Sequence, residues 1–159
     1  MNGAWCALLW LAVVIDPHVR GLDAFDAFDA GDHAAAVHAF EQAVAARPDD
    51  GAAWFDLGAA HFARRDLRAA RAAFERAVST FDAAGRRLEA ALAREGLARV
   101  QIEQADWAGA RVSLDAAAAG LTGLPTVHPH RARHATLRGI VAQAFGDVQV
   151  AEARLESAL

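Results

Sequence analysis

Three histidines, His128, His130 and His134, come closest among the residues of this 159-residue chain to forming a chemical site. His130 and His134 are four residues apart, so a helix would present both on one face, as a metal site requires. No cysteine or acidic residue adjoins them to complete a coordination set, and Arg131 and Arg133 would repel a cation. We therefore expect a solvated helix start here, with no metal and no other cofactor.

The other candidates for chemistry are weaker. Asp23, Asp26 and Asp29 recur every three residues, but the glycine and closing glutamate of a calcium loop are missing, so we expect them to be solvated. The chain has no G-x-S-x-G turn and no glycine-rich phosphate loop. Its single cysteine, Cys6, excludes an internal disulfide and a multi-cysteine metal site. The sequence predicts a protein that is not an enzyme.

The composition favours one helical domain. Hydrophobic residues make up 55% of the chain, enough for a real core, and alanine, the best helix former, is the commonest residue. All 16 basic residues are arginine, a bias typical of a GC-rich bacterial genome. They are interleaved with 20 acidic residues, which gives a net charge of −4 and no basic stripe to hold phosphates. Nucleic acid is therefore not expected as a partner.

The N-terminal segment 1–16 is apolar and has two interpretations. Residues 3–15 carry no charge, and this run has the length of a signal-peptide core but is too short to cross a bilayer comfortably. A signal or membrane tether would place the protein in the cell envelope or periplasm, which we favour slightly over the cytoplasm. The alternative is a first helix packed on the rest of the chain, since no Lys or Arg precedes the run.

An internal repeat is the strongest feature of the remaining residues, 17–159. Four segments, beginning at residues 31, 65, 105 and 146, align without gaps. Their shared columns are an aspartate (Asp32, Asp66, Asp106, Asp147), a small residue (Ala36, Ala70, Ala110, Ala151), a large apolar residue (Phe40, Phe74, Leu114, Leu155) and a second alanine (Ala43, Ala77, Ala117, Ala158). The aspartate predicts a helix N-cap, and the other columns predict one packing face of the helix that follows.

The second copy carries a specific resemblance. Trp54, Leu57 and Gly58, followed by Ala70 and Phe74, reproduce the W-x2-L-G and A-x3-F pattern of the tetratricopeptide repeat. The chain resembles that family over about four repeats, at residues 17–50, 51–84, 86–124 and 129–159. The later, longer copies are similar to kinesin-light-chain repeats. The resemblance implies an all-α solenoid of antiparallel helix pairs, a right-handed superhelix that binds other proteins without catalysis.

In this family the first helix of each pair lines a concave groove that holds partner segments. Mapped onto this chain, the groove comprises Phe25, Phe28, Phe55, Ala59, Phe62, Arg99, Ile102, Arg133 and Ile140, with Leu92, Glu95, Glu103 and Gln143 beside them. Its aromatic end suits an apolar segment or amphipathic helix of a partner. The alternative is that Phe25 and Phe28 pack beneath the N-terminal segment. The family's lysine and asparagine clamp for a peptide carboxylate is not expected, since Phe55 and Ala59 occupy its places.

Three hypotheses for function follow from these patterns. The first is a scaffold or adaptor that binds a protein or peptide in the groove. The second is a structural envelope protein that self-associates through the last repeat, which no following helix covers. The third is a metal protein built on His128, His130 and His134.

Overall fold

Alanine-rich segments with capping residues at their starts form the helices of this chain. The computed structural model describes residues 22–125 and 127–157, with side chains placed for 24–125 and 127–146. The helices are α1 (Leu22–Asp29), α2 (His33–Ala46), α3 (Gly51–Ala63), α4 (Leu67–Ala83), α5 (Arg87–Glu103), α6 (Trp107–Ala118) and α7 (Pro129–Ser157), with a short 3₁₀ turn at Ala119–Leu121. The described part of the chain contains no strand.

A recurring turn joins the two helices of each of the first three pairs. The residue before the cap takes a left-handed conformation, with φ of 82° at Gly31, 65° at Arg65 and 57° at Ala105. The next residue is the aspartate of the repeat, and its side chain accepts a hydrogen bond from the backbone three residues on, at 3.0, 3.2 and 2.9 Å in the three turns. The predicted N-caps are confirmed at Asp32, Asp66 and Asp106.

Consecutive helices pack on each other, and first helices of successive pairs also touch: α3 contacts α5, and α5 contacts α7. Short turns between packed neighbours make each pair antiparallel. The repeat columns form the core of this arrangement: Ala36, Ala70, Ala110, Phe40, Phe74 and Leu114 are all buried. The predicted all-α solenoid is confirmed.

The W-x2-L-G segment of the second copy is also part of the packing. The indole nitrogen of Trp54 donates to the carbonyl of Pro48 at 2.8 Å, which ties the start of α3 to the turn before it. Leu57 is buried between α2 and α3. A Cβ atom added to Gly58 would lie 2.9 Å from the Phe74 ring, so this position needs glycine to let α4 approach.

The extension after the second copy is helical, as predicted. Apolar residues Val78 and Phe81 continue α4 to Ala83, and Gly85 follows with a left-handed φ of 68°. Phe81 is fully buried, and it packs beside Gly51 at the start of α3. The additional residues therefore lengthen a packed helix rather than a loop.

The fourth copy differs from its prediction. The sequence predicts a turn at Gly146–Asp147, as at Gly31–Asp32, but α7 runs through this point as one helix of 29 residues. Ala151 and Leu155 therefore lie within α7, and their side chains are outside the described set. No second helix covers the described half of α7 as α4 covers α3.

The signal or membrane tether that the sequence predicts at residues 3–15 lies outside the described residues. Across ranges 22–125 and 127–157, none of the helices combines the length and apolar character that crossing a bilayer demands.

Candidate partner-binding face

The first helices α3, α5 and α7 adjoin along one side of the solenoid, and most of the predicted groove residues lie on them. Ala59, Phe62, Arg99, Ile102 and Arg133 are half-buried, and together they define what we call the inner face. Ile140, farther along α7, is 43% exposed. Five of the nine predicted residues are thus half-buried on these three helices, and two of them are in direct contact, since Arg99 lies over Phe62.

Two predicted groove residues are in the core instead. Phe28 is buried among residues of α1 and α2 and contacts the His33 ring at 5.0 Å between centroids. Phe55 is buried edge-on against Phe74 at 5.5 Å. As exposed groove residues, both predictions are wrong, because large aromatic rings here fill the space between a first helix and its second.

Phe25 is intermediate between these cases. Its ring packs edge-on against Phe40 of α2, with centroids 5.2 Å apart, and remains half-buried. The alternative in which Phe25 and Phe28 pack beneath the N-terminal segment involves residues outside the described set. Within that set, both rings pack against α2, so the aromatic end of the predicted groove is largely core.

Two contacts of charged side chains join α5 to α3 and to the turn that follows it. The Arg99 guanidinium lies 4.7 Å from the centre of the Phe62 ring, within the range of a cation–π interaction. One turn farther on, Arg65 pairs with Glu103 at 2.8 Å. The first contact places a charged group directly above the Phe62 ring.

A buried carboxylate joins α5 to α7. Glu95 is fully buried, and one of its oxygens accepts two hydrogen bonds from Arg133, at 3.0 Å from Nε and 2.6 Å from Nη2. The other oxygen lies 3.2 Å from Nδ1 of His134. A buried carboxylate is costly without such partners, so the charge of Glu95 is balanced by Arg133.

His130 completes this cluster in its neutral form. Its Nδ1 accepts a hydrogen bond from Arg133 at 3.1 Å, and its ring stacks on His128 with centroids 5.0 Å apart. Burial, with the neighbouring Arg133 charge and then His128, lowers the pKa of His130 from 6.5 to about 4. A histidine that stays neutral in this way accepts from the arginine rather than repelling it.

The prediction of a solvated helix start at these histidines is wrong. His130 and His134 do share one helical face, as their spacing predicts, but both are buried because that face packs on α5. Among residues 24–125 and 127–146, no group of three or more His, Cys, Asp or Glu side chains is arranged to hold a metal ion. Arg133 and His134 of α7 both contact the buried carboxylate of Glu95 on α5.

The role of Glu95 was missed by the sequence reasoning, which assigned both Glu95 and Arg133 to the groove. The repeat register contained the signal. Glu95 stands eleven residues before Asp106, the same place that the buried Phe55 holds before Asp66. A carboxylate that takes the place of a core residue of the preceding copy requires a buried cation, and Arg133 supplies it.

These features define the class of the protein: an α-solenoid built from helix pairs with a repeated cap, turn and packing column. Residues 24–85 match the family model described as tetratricopeptide repeat, which assigns this part of the chain to that family. No curated protein matches the sequence significantly. Repeats of this family generally mediate interactions between proteins and are generally non-enzymatic. The count of four repeats and the kinesin-light-chain-like type remain predictions.

Proposed function

We propose that this protein is an interaction module that binds a partner segment on the inner face formed by Ala59, Phe62, Arg99, Ile102 and Arg133. The observation that carries the proposal is Arg99 held over Phe62 at the centre of that face. The segment recognised there has an apolar side chain next to an acidic one. The sequence favours an apolar segment or an amphipathic helix as the partner; because Phe28 and Phe55 are in the core, the proposal relies on Phe62 and the Arg99 charge instead.

The chemistry of this pair supports such a partner. Phe62 and Ala59 are half-buried, so both leave apolar surface exposed on α3. Ile102 is likewise half-buried on α5, where it packs beside Leu114. The guanidinium over the ring adds a positive charge to this apolar surface, which favours a partner segment with an acidic side chain nearby. One short segment could therefore engage both.

A clamp for a peptide's terminal carboxylate is not part of the proposal. Phe55 is core and Ala59 has no polar group, so two places of such a clamp are unfilled. Arg133 is bound to the buried Glu95. Recognition rests on the side chains of the partner, not on its terminus.

Affinity capture with matched variants tests the assignment. Arg99→Glu reverses the charge over Phe62, and Phe62→Ala removes the ring, whereas Val112→Glu changes a 65% exposed residue of α6 outside the inner face. We expect the same protein to be captured by the wild type and by Val112→Glu, and its recovery to fall at least about tenfold with Arg99→Glu, the size of effect typical of an interface hot spot.

Circular dichroism checks that all three variants keep the helical fold. Equal recovery of that protein by the wild type, both inner-face variants and the control would refute the inner-face assignment, since the contact would then lie elsewhere on the molecule.

Two other expectations remain predictions. The envelope tether depends on residues 3–15, and the mass of the mature N-terminus determines whether they are removed. Self-association through the last repeat would use the surface of α6 and α7, and sedimentation across a range of protein concentrations measures it.

A further inference from the structure

A single stripe of side chains attaches α7 to the helices before it. Within residues 129–146, the buried side chains of α7 follow one another at spacings of three and four residues, which places them on one helical face: His130, His134, Leu137 and Val141. Leu137 and Val141 pack against α5 and α6 in a small apolar cluster. The two histidines lie beside Glu95 and Arg133, so half of this stripe consists of imidazole rings.

The His130 ring has no suitable place for a second proton while α7 is docked. Its Nδ1 accepts a hydrogen bond from Nη2 of Arg133 at 3.1 Å, so the ring's own proton is on Nε2. Nε2 is buried, and no described atom forms a hydrogen bond with it. A proton added at Nδ1 would bring two N–H donors and two positive charges against each other across the same 3.1 Å.

The carboxylate nearest to this ring is already committed. Glu95 is the charged group that α5 presents to the cluster, and Arg133 donates to one of its oxygens at 2.6 Å. Nδ1 of His134 lies 3.2 Å from the other oxygen. The remaining neighbour, His128, stacks on His130 and adds no negative charge. A second cation at this interface would therefore be buried without a carboxylate of its own, which is costly.

The other helix packed on this part of α7 is α6. Its charged residues, Arg111 and Asp115, contact Phe145 and Arg138 farther along α7. The protonation of His130 thus depends on the α5 carboxylate and on the groups of its own helix and the turn before it.

We propose that α7 is an acid-released helix: protonation of His130 detaches it from α5 and α6 while the helices before it stay folded. Release places the imidazolium in water and uncovers the apolar surface of Ala98, Ala110 and Leu114, which Leu137 and Val141 cover at neutral pH. This inference does not depend on the partner proposed for the inner face.

The size of the effect follows from the difference between the docked and the released ring. Burial first, then Arg133 and His128, lowers the pKa of His130 from 6.5 to about 4 in the docked helix, and release restores the ordinary value. Docking is therefore strongest above the ordinary pKa and weakens as the pH falls toward 4, because only the released state binds the proton. From pH 7 to pH 5, the equilibrium constant for release should rise about twentyfold.

Thiol protection measures this release even when the released state is rare. In a Cys6→Ser background, Val141→Cys places a buried thiol on the α7 stripe, and Val44→Cys places one in the core of α2 as the matched control. Each thiol reacts with dithiodipyridine only when its surroundings open. The reaction rate, divided by that of a short unfolded peptide at the same pH, therefore gives the opening equilibrium at each position.

We expect protection at position 141 to fall about twentyfold from pH 7 to pH 5, with a slope that approaches tenfold per pH unit, the uptake of one proton. Position 44 should stay better protected than position 141 at both pH values, because the earlier helices must unfold to expose it. Equal protection at the two positions would overturn the proposal, since α7 would then leave only in global unfolding.

His130→Asn, combined with Val141→Cys, tests the residue itself. Asparagine keeps an oxygen that can accept from Arg133 but does not titrate, so protection at position 141 should change by less than about twofold over the same pH range. A drop as large as in the parent with histidine at position 130 would refute the role of His130.

The parent with histidine at position 130 provides a second readout, which decides the matter even if the asparagine variant fails to dock α7 at pH 7. A one-proton slope between pH 6 and pH 5 supports the proposal, and protection that is constant from pH 7 to pH 5 would overturn it. Circular dichroism at each pH verifies that the other helices remain folded.

Discussion

The Glu95 cluster is the most constrained set of single residues in the described structure. Glu95 is fully buried, and Arg133, His134 and His130 enclose it from α7. Each member depends on the charge state of the next: the carboxylate needs the guanidinium, and the guanidinium donates to a neutral imidazole. Proton binding at His130 therefore acts on the attachment of α7 to α5.

The stability of the fold should consequently fall as the pH drops from 7 to 5. The pKa of His130 is lowered to about 4 in the folded state, by burial first and by Arg133 and His128 next. Between about pH 6.5 and pH 4 the unfolded chain binds a proton that the folded chain does not, so stability is full above this window and is lost as the pH falls through it. We expect His130 to contribute a loss of about 1 to 2 kcal/mol at pH 5, measured by urea unfolding.

The matched variant is His130→Asn, whose side-chain oxygen can still accept from Arg133. We expect the difference between pH 7 and pH 5 to shrink in this variant by the contribution of His130. His61, whose pKa is also lowered by burial, adds a loss of the same sign in both proteins. An identical pH dependence in wild type and variant would show that His130 does not titrate differently on folding.

Single-residue roles could be predicted from the sequence only in part. The column of Phe40, Phe74 and Leu114 was predicted as packing residues and is buried, because periodic apolar spacing reports a helix face directly. Phe28 and Phe55 were assigned to the wrong side, since a first helix has both an inner face and a core face rich in apolar residues. The pairing of Glu95 with Arg133 joins two helices through residues that are 38 positions apart in the sequence. A local sequence pattern does not contain such a contact.

At the scale of elements, the turns between paired helices show how much the packing imposes on the backbone. Gly31 takes its left-handed φ at little cost, but Arg65 and Ala105 take the same conformation with a Cβ atom. The backbone amide of the residue that follows each of them still donates a hydrogen bond to a carbonyl of the preceding helix. The Asp66 amide, for example, donates to the carbonyl of His61 at 2.9 Å. The hairpin geometry outweighs the local preference of the residue.

Replacing Ala105 by glycine should therefore stabilise the protein. The substitution removes the strain of a left-handed alanine, and we expect a gain of about 0.5 to 1 kcal/mol in the free energy of unfolding. Ala72→Gly is the matched control, because Ala72 is exposed inside α4, where the same change should cost about 1 kcal/mol. Chemical denaturation measures both, and opposite signs are the expected result. Destabilisation of similar size at both sites would mean that the turn at Ala105 is not strained.

The helices were predictable to different degrees. The lengthening of α4 follows from apolar residues that continue to Phe81 and end at Gly85, a local signal that the structure bears out. The end of the chain has an equally clear local signal at Gly146–Asp147, yet α7 continues through it. Whether the chain continues as a helix or turns back depends on the tertiary contacts of the segment that follows. The residues at the turn do not determine those contacts.

At the scale of the whole molecule, single side chains connect successive repeats. The Phe74 ring lies between Gly58 of its own pair and Gly96 of the next, where added Cβ atoms would lie 2.9 and 2.6 Å from it. In a solenoid each repeat contacts only its neighbours, so stability is a sum of repeat and interface contributions. The interface between the second and third pairs rests on this ring.

Gly96→Ala should test that interface. The added methyl group must displace the Phe74 ring, and we expect the free energy of unfolding to fall by about 1 to 3 kcal/mol from overpacking. Combining it with Phe74→Leu should cost less than the sum of the two single changes, because the smaller side chain makes room. Gly123→Ala serves as the control, since nothing lies within 4 Å of its added Cβ, and we expect a change within about 0.5 kcal/mol. Strict additivity of the first two substitutions would contradict a shared contact at Phe74.

The left-handed turns also bear on how such a chain can diverge. Four different positions hold this conformation with three residue types, Gly31, Arg65, Gly85 and Ala105, so the turn does not demand a particular side chain. Substitutions at these turns should therefore leave the architecture unchanged, as long as the packing columns are kept. The family match ends at residue 85 while the same cap and turn recur at Ala105–Asp106. The cap and turn thus extend beyond the residues that the family model matches.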